Sequence, residues 1–218
     1  MKKTFIYVLA AASLFTASQV QAQKEFSLSV KGTPQFSFMQ NKTDNDNSAY
    51  ERKATFNAGF GIGGGYNFTT NSGIGLDALY SLQGQRYTLN GTEYNQKMQY
   101  VKIPLMYTYN TDQSKAVSFV GKIGPQLSIL TTSKLTDKDG NDLISDTKSN
   151  YKSATFGGVV LAGTQFKLAQ RTFLTTGVRF DYDFTNAEDD ALASHTNGRD
   201  NTYHSTVGLE VGLKFLLK

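Results

Sequence analysis

The sequence has no cysteine and no tryptophan, three prolines and two histidines in 218 residues. Without cysteine there is no disulfide framework, no thiol chemistry and no cysteine-based zinc site. Beyond the N-terminus there is no long apolar run, and the mean hydropathy is −0.36. A bundle of membrane-crossing helices is therefore excluded. A membrane β-barrel is not, because its strands are apolar only at every second residue. A surplus of one charge is also missing. The formal net charge is +4, from 22 basic and 18 acidic residues. Setting aside Lys2 and Lys3 leaves 20 against 18, or +2, which gives nucleic-acid binding no support.

Those two lysines open a recognisable segment. They precede an apolar run of about a dozen residues, too short for the roughly 20 needed to span a bilayer. Val20-Gln21-Ala22 then supplies small residues before a cut. Residues 1–22 are expected to be a cleaved signal peptide, leaving 23–218 as one domain.

Glycine is plentiful, 20 residues in all, and its densest stretch is Ala58-Gly-Phe-Gly-Ile-Gly-Gly-Gly-Tyr-Asn-Phe68. Gly59, Gly61 and Gly64 match the G-x-G-x-x-G spacing of a dinucleotide loop. Such a loop needs a buried strand before it and a helix after it. Here a polar stretch precedes and the turn Thr69–Gly73 follows. Parity explains the stretch better. Gly59, Gly61, Gly63 and Gly65 are odd, whereas Phe56, Ala58, Phe60, Ile62, Tyr66 and Phe68 are even. Side chains alternate faces on a strand, so this is one strand with an apolar face and a nearly bare one.

The same alternation marks seven further segments: 26–38, 74–87, 99–109, 117–129, 154–168, 174–184 and 203–215. Connections 41–53, 88–96, 131–150 and 186–200 are longer and polar; 69–73, 110–116 and 169–171 are short. Eight strands with tight turns at one end and longer loops at the other predict an all-β fold, an eight-stranded antiparallel up-and-down transmembrane β-barrel. Both chain ends are then expected in the periplasm of a bacterial outer membrane.

A soluble lipocalin-like barrel has the same strand count with the apolar face turned inward. Three features favour apolar outside. The charged face is also the glycine-rich one, and a water-facing surface has no need of bare glycine. Aromatics gather near both ends of the apolar face, as in interfacial girdles: Phe36, Phe38, Phe56, Tyr182 and Tyr203 at one end, Phe68, Tyr107, Tyr109, Phe166 and Phe215 at the other. Disulfides and an early tryptophan, common in lipocalins, are absent. With that orientation the lumen receives Lys31, Asp77, Lys102, Lys122, Lys167, Arg179, Asp181, Asp183, Glu210 and Lys214. An eight-stranded interior is just wide enough for side chains to fill. The wall of Gly59, Gly61, Gly63 and Gly65 is expected to give these charges room, and the charges to pair into a plug. Arg179 is expected to pair with Glu210 or with an acid of its own strand. Pro104 and Pro125, on neighbouring strands, predict a local bulge.

Candidate chemistry is thin. Ser194-His195 with Asp189 and Asp190 holds the residue types of a hydrolase but crowds them into one loop without a rigid scaffold. His204 has inward parity and is expected to act as a lumen hydrogen-bonder. Asp137-Lys-Asp-Gly-Asn-Asp142 spaces oxygens like a calcium loop, but its sixth position is Asp142 rather than glycine and its twelfth is Lys148 rather than glutamate. The chain is expected to be no enzyme and to need no metal or cofactor.

Tyr100-Val-Lys-Ile-Pro-Leu-Met-Tyr-Thr-Tyr109 and Phe119-Val-Gly-Lys-Ile-Gly-Pro-Gln-Leu-Ser-Ile-Leu130 resemble the Ile-Pro-Leu and Gly-Pro strands of the PorT-like, or outer-membrane β-barrel, family of small bacterial surface proteins. That resemblance implies a membrane barrel, in a family whose members include secretion-system components. The expected partners are outer-membrane lipid and lipopolysaccharide, the barrel assembly machinery and a protein met through the loops, with the barrel itself a monomer. Two roles follow from a small barrel: a plugged structural or interaction protein displaying four outer loops, or a narrow porin-like channel for small solutes. Strand count favours the first.

Overall fold

Alternating side chains become strands because each face of the pleat then meets one environment. A computed structural model of the chain describes residues 25–46, 50–89, 91–192 and 198–217. The expected signal peptide and the Ser194-His195 pair lie outside the described residues. The strands are β1 (Glu25–Gln40), β2 (Tyr50–Asn67), β3 (Ser72–Leu89), β4 (Thr92–Asn110), β5 (Val117–Asp137), β6 (Asp142–Ile144), β7 (Ala154–Ala169), β8 (Thr172–Asp183) and β9 (Tyr203–Leu216). One short helix, α1 (Lys42–Asp46), follows β1.

Each long strand pairs antiparallel with its neighbour in sequence, β4 pairs β5, β5 pairs β7, and β9 returns to β1. Eight strands thus close an up-and-down barrel with no free edge, while β6 pairs only with β5, within the loop. The apolar face points outward: Phe119 is 66% exposed and Ile62 63%, whereas Lys102 is 3% and Asp181 2% exposed. In water so much exposed apolar surface would be unfavourable; against lipid it is the expected surface. Aromatic pairs edge the belt, with Phe36 against Phe56 (centroids 5.3 Å apart) and Tyr182 against Tyr203 (6.1 Å) at the loop end, and Phe26 against Tyr66 (4.8 Å) at the turn end.

Two local expectations are corrected. Residues 88–96 do not form a long loop. β3 and β4 run on to a tight turn containing Gly91 at φ 81°, with Tyr87 opposite Tyr94 and Leu89 opposite Thr92. Polar outward residues such as Arg86 and Lys97 replace the apolar belt there, so this hairpin stands above the lipid as paired sheet. The polar composition that resembles a loop is that of a strand pair wet on its outer face. The bulge expected at Pro104 and Pro125 is also absent. The β4–β5 ladder skips Leu105 and Met106 yet keeps one register from Tyr100 to Asn110. The shift lies instead between Gln99 and Tyr100. Leaving out a few pairs absorbs the missing proline N–H without an inserted residue. Gly124 permits close approach here, since a Cβ on it would strike the Leu105 carbonyl and stand 2.8 Å from Met106 Cα.

Leu209 lies outward on β9 and is 49% exposed. Leu209→Arg is expected to lower stability by about 2–4 kcal/mol in lipid vesicles, as an arginine near the bilayer midplane does. Thr88→Arg, on the upper hairpin, should stay within about 0.5 kcal/mol. Urea titration of both variants in vesicles checks this, and equal costs would place the belt wrongly.

Candidate functional site

The lumen is built on the strands' second parity. Lys31 on β1 donates to Asp77 Oδ2 on β3 at 2.6 Å and stands 3.8 Å from Glu210 Oε1 on β9. Glu210 also takes Lys122 from β5 at 3.3 Å and Arg179 Nη1 from β8 at 3.0 Å. Arg179 Nε lies 3.0 Å from Asp181 Oδ1, and its Nη2 donates to Gln126 Oε1 at 3.0 Å. Asp181 in turn accepts from Lys102 Nζ at 3.1 Å and from Thr206 Oγ1 at 2.8 Å. One continuous ionic chain therefore runs Asp77–Lys31–Glu210–Arg179–Asp181–Lys102, with Lys122 as a branch. Arg179 makes both of its expected pairings at once.

Room for these side chains comes from glycine on the adjacent strand. A Cβ on Gly63, opposite Asp77, would strike the Asp77 carboxylate, and one on Gly61 would strike the Ala78 carbonyl. On Gly65 it would come within 2.7 Å of Ser27 Oγ, whereas Gly59 has ordinary clearance, 3.5 Å from the Tyr80 carbonyl. The device extends beyond β2. Gly212 lies opposite Lys31, Gly208 opposite Arg179, Gly177 opposite Glu210 and Gly157 opposite Asp183. All four share the parity of the charged face. A signal was available for two of the four, whose charged residue has a glycine two positions away on its own strand, as in Gly208-Leu-Glu210 and Gly177-Val-Arg179; Lys31 and Asp183 have none.

Three expected members of the charge network lie outside it. Asp183 is buried but held by hydroxyls, from Thr155 at 2.8 Å and Ser128 at 3.4 Å. Lys214 donates to Gln113 Oε1 at 3.4 Å and lies 5.7 Å over the Phe173 ring. Lys167 is exposed at the turn rim, where the strand has left the closed part of the lumen. The lumen is also less uniformly polar than its parity predicts. Leu79, Met106, Val159, Leu161 and Phe173 are buried inside it, filling space that charges could occupy only in pairs. His204 is buried, but its ring meets Tyr100 edge-on at 5.5 Å, and its Nε2 has no hydrogen-bond partner among the described residues. It packs rather than bonds.

Above the ionic chain, Met98, Tyr100 and Leu130 pack together with Met39 and Tyr151 across the loop end. The loops over them are tied. Arg199 of the 184–202 loop donates to Glu188 Oε2 at 2.8 Å and to Asp44 Oδ2 of α1 at 2.9 Å. These two carboxylates raise the Arg199 guanidinium further above its ordinary value, Glu188 first. Asn41 Nδ2 reaches Thr202 Oγ1 at 2.8 Å, and Lys152 bridges to Asp190 at 2.7 Å. In the 138–153 region, Asp137 accepts from the N–H groups of Asp139 and Asn141, each at 2.9 Å, and Asp142 pairs with Lys134 at 2.7 Å. The segment resembling a calcium loop is thus a turn capped by its own first aspartate. Among the described residues no cluster of three or more metal-ligating side chains occurs. At the turn end, Ser114 holds the Asp112 carboxyl below the usual carboxylate range by donating its hydroxyl and then its N–H.

A closed eight-stranded antiparallel barrel with an apolar outer face and a charged, filled lumen is a transmembrane β-barrel of the bacterial outer membrane. The chain belongs to the outer membrane protein beta-barrel domain family, whose model matches residues 17–215. Its fold is similar to that of a major outer membrane protein from Thermus thermophilus, at 14% identity and TM-score 0.53, covering 88% of this chain and 99% of that one. OprG from Pseudomonas aeruginosa matches at 12% identity and TM-score 0.50, covering 90% and 97%. Neisserial surface protein A matches at 15% identity and TM-score 0.49, covering 87% and 96%. No curated protein sequence matches the chain.

Glu210 is the branch point of the ionic chain. Glu210→Gln leaves Arg179, Lys31 and Lys122 short of a counter-charge and should cost about 3–5 kcal/mol. Asp183→Asn, whose partners are hydroxyls, should cost less. Gly63→Ala should cost about 1–3 kcal/mol by overpacking, while Gly59→Ala should stay within about 0.5 kcal/mol. Unfolding midpoints in vesicles order the four; a Gly63→Ala barrel as stable as the Gly59→Ala one would refute the packing account.

Proposed function

We propose that this barrel is a non-conducting outer-membrane protein that works through its loop end, as a structural or interaction protein. The observation that carries this reading is double closure: an ionic chain across the middle of the lumen and an apolar plug under tied loops above it. A channel needs a continuous wet path, which eight strands rarely leave. A display surface needs a rigid platform, and here ion pairs and side-chain bonds hold three of the four loop-end connections to one another. The fourth, the β3–β4 hairpin, joins them through Gln96, which donates to Ser133 Oγ at 2.8 Å and Thr147 Oγ1 at 2.9 Å.

In this reading the turn end and both chain ends face the periplasm, because an exported chain enters the membrane from that side. The belt contacts outer-membrane lipid and, in the outer leaflet, lipopolysaccharide; the assembly machinery inserts the chain; and the barrel is monomeric. The PorT-like resemblance of the Ile-Pro-Leu and Gly-Pro strands supports a place within a larger envelope complex, possession of a protein partner being the shared requirement.

In planar bilayers the wild-type barrel should show no steady, ohmic conductance. Arg199→Ala, which removes the ion pair between Asp44 of α1 and the 184–202 loop, should leave conductance closed while making the loops more susceptible to protease. Steady wild-type conductance would overturn the reading in favour of solute passage. Photocrosslinkers at Arg86 and Lys148, both exposed at the loop end, should capture a neighbour in native membranes that one at Gln170, in the turn between β7 and β8, does not.

A further inference from the structure

The turn-end half of the lumen holds a cavity of about 50 Å³ below the ionic chain. By the same measure a water needs roughly 10–15 Å³, so there is room for about three to five waters or for a small ion with fewer. Lys31, Lys122 and Lys214 line it, together with the amides of Asn110 and Gln165. Asn110 is 0% and Gln165 1% exposed, yet neither polar atom of either amide has a hydrogen-bond partner among the described residues. Lys31 and Lys122 have carboxylate partners. Lys214, part-buried, has none within ion-pair distance among the described residues; its contacts are Gln113 and the Phe173 ring. Glu25 is the acid that bears on it, from beyond that distance, and Lys122 is near enough to repel it.

The charge balance gives the same direction. Within the closed part of the lumen the described groups are Lys31, Lys102, Lys122, Arg179 and Lys214 against Asp77, Asp181, Asp183 and Glu210, five cations to four anions, with Glu25 a further acid on the same face of β1 at the turn-end rim. Buried charge without a partner is unfavourable, and buried amides without partners add to that cost. A cation would meet three ammonium groups in this cavity and is disfavoured. One anion gives Lys214 and the amide N–H groups an acceptor. We infer that the cavity between Lys214, Gln165 and Asn110 is a binding site for a small monovalent inorganic anion, chloride being the probe of the right size and charge.

The test uses the full barrel refolded in detergent. Its unfolding midpoint is followed as sodium chloride replaces sodium gluconate at fixed ionic strength, gluconate being too large for the cavity. The wild-type midpoint should rise and saturate, and a crystal soaked in sodium bromide should give an anomalous peak between Lys214 Nζ and the Gln165 amide. Lys214→Met and Gln165→Leu should both remove the chloride-dependent rise. Lys167→Met, which deletes a lysine at the exposed rim, should retain it and so separates a site from general screening. Equal midpoints in the two salts, an equal rise in Lys214→Met and wild type, or a cavity holding water with no bromide peak would each overturn the inference.

Discussion

Everything in this barrel depends on how charge is kept inside a closed ring of eight strands. Moving an ion from water into a protein interior costs several kcal/mol even after relaxation, and an opposite charge recovers that only with good geometry and further hydrogen bonds. The Glu210 carboxylate meets these terms by taking Arg179, Lys122 and Lys31 from three different strands. No local segment could supply that set. It exists only when β1, β5, β8 and β9 are wrapped around one axis, so the ionic chain specifies the closed barrel as much as the closed barrel permits the chain.

Glycine is the geometric half of the same constraint. A charged side chain crosses the lumen more easily where the strand beside it presents no side chain of its own. Lys31 lies between Gly61 on β2 and Gly212 on β9, and Asp77 reaches inward beside Gly63. The glycine cluster that matches a dinucleotide pattern in one dimension is, in three, half of a socket for Lys31 and Asp77. Its spacing of two is the pleat's, not that of a phosphate loop.

Parity made most of this legible before any coordinates. Alternation is local, so the faces of Lys31, Asp77, Arg179 and Glu210 follow from the sequence alone. Pairing is not local. Which acid meets which base depends on the stagger of strands around the barrel. Arg179 lies directly opposite Gly208, and its Glu210 contact is diagonal, a choice periodicity cannot make. The β3–β4 hairpin was hidden for a related reason: once Arg86 and Lys97 replace apolar residues on the outer face, alternation vanishes although pairing continues. His204 shows a third limit. Its inward face was evident, but its neighbour Tyr100 comes from a strand far away in sequence, and an aromatic neighbour turns a polar ring into packing.

The two ends of the lumen differ in how they are covered, and the difference has a physical basis. At the loop end, Met98, Tyr100 and Leu130 exclude water beneath loops joined by Arg199 to Glu188 and Asp44. Apolar packing there shields the ionic chain from competing water and strengthens it. At the turn end the connections are too short to fold over the opening, and the interior there keeps unsatisfied amides and an ammonium without a carboxylate among the described residues. A short turn gives rigidity but no lid, so an anion that compensates Lys214 would enter from that side. The barrel is therefore sealed toward its loops and chemically unfinished toward its turns.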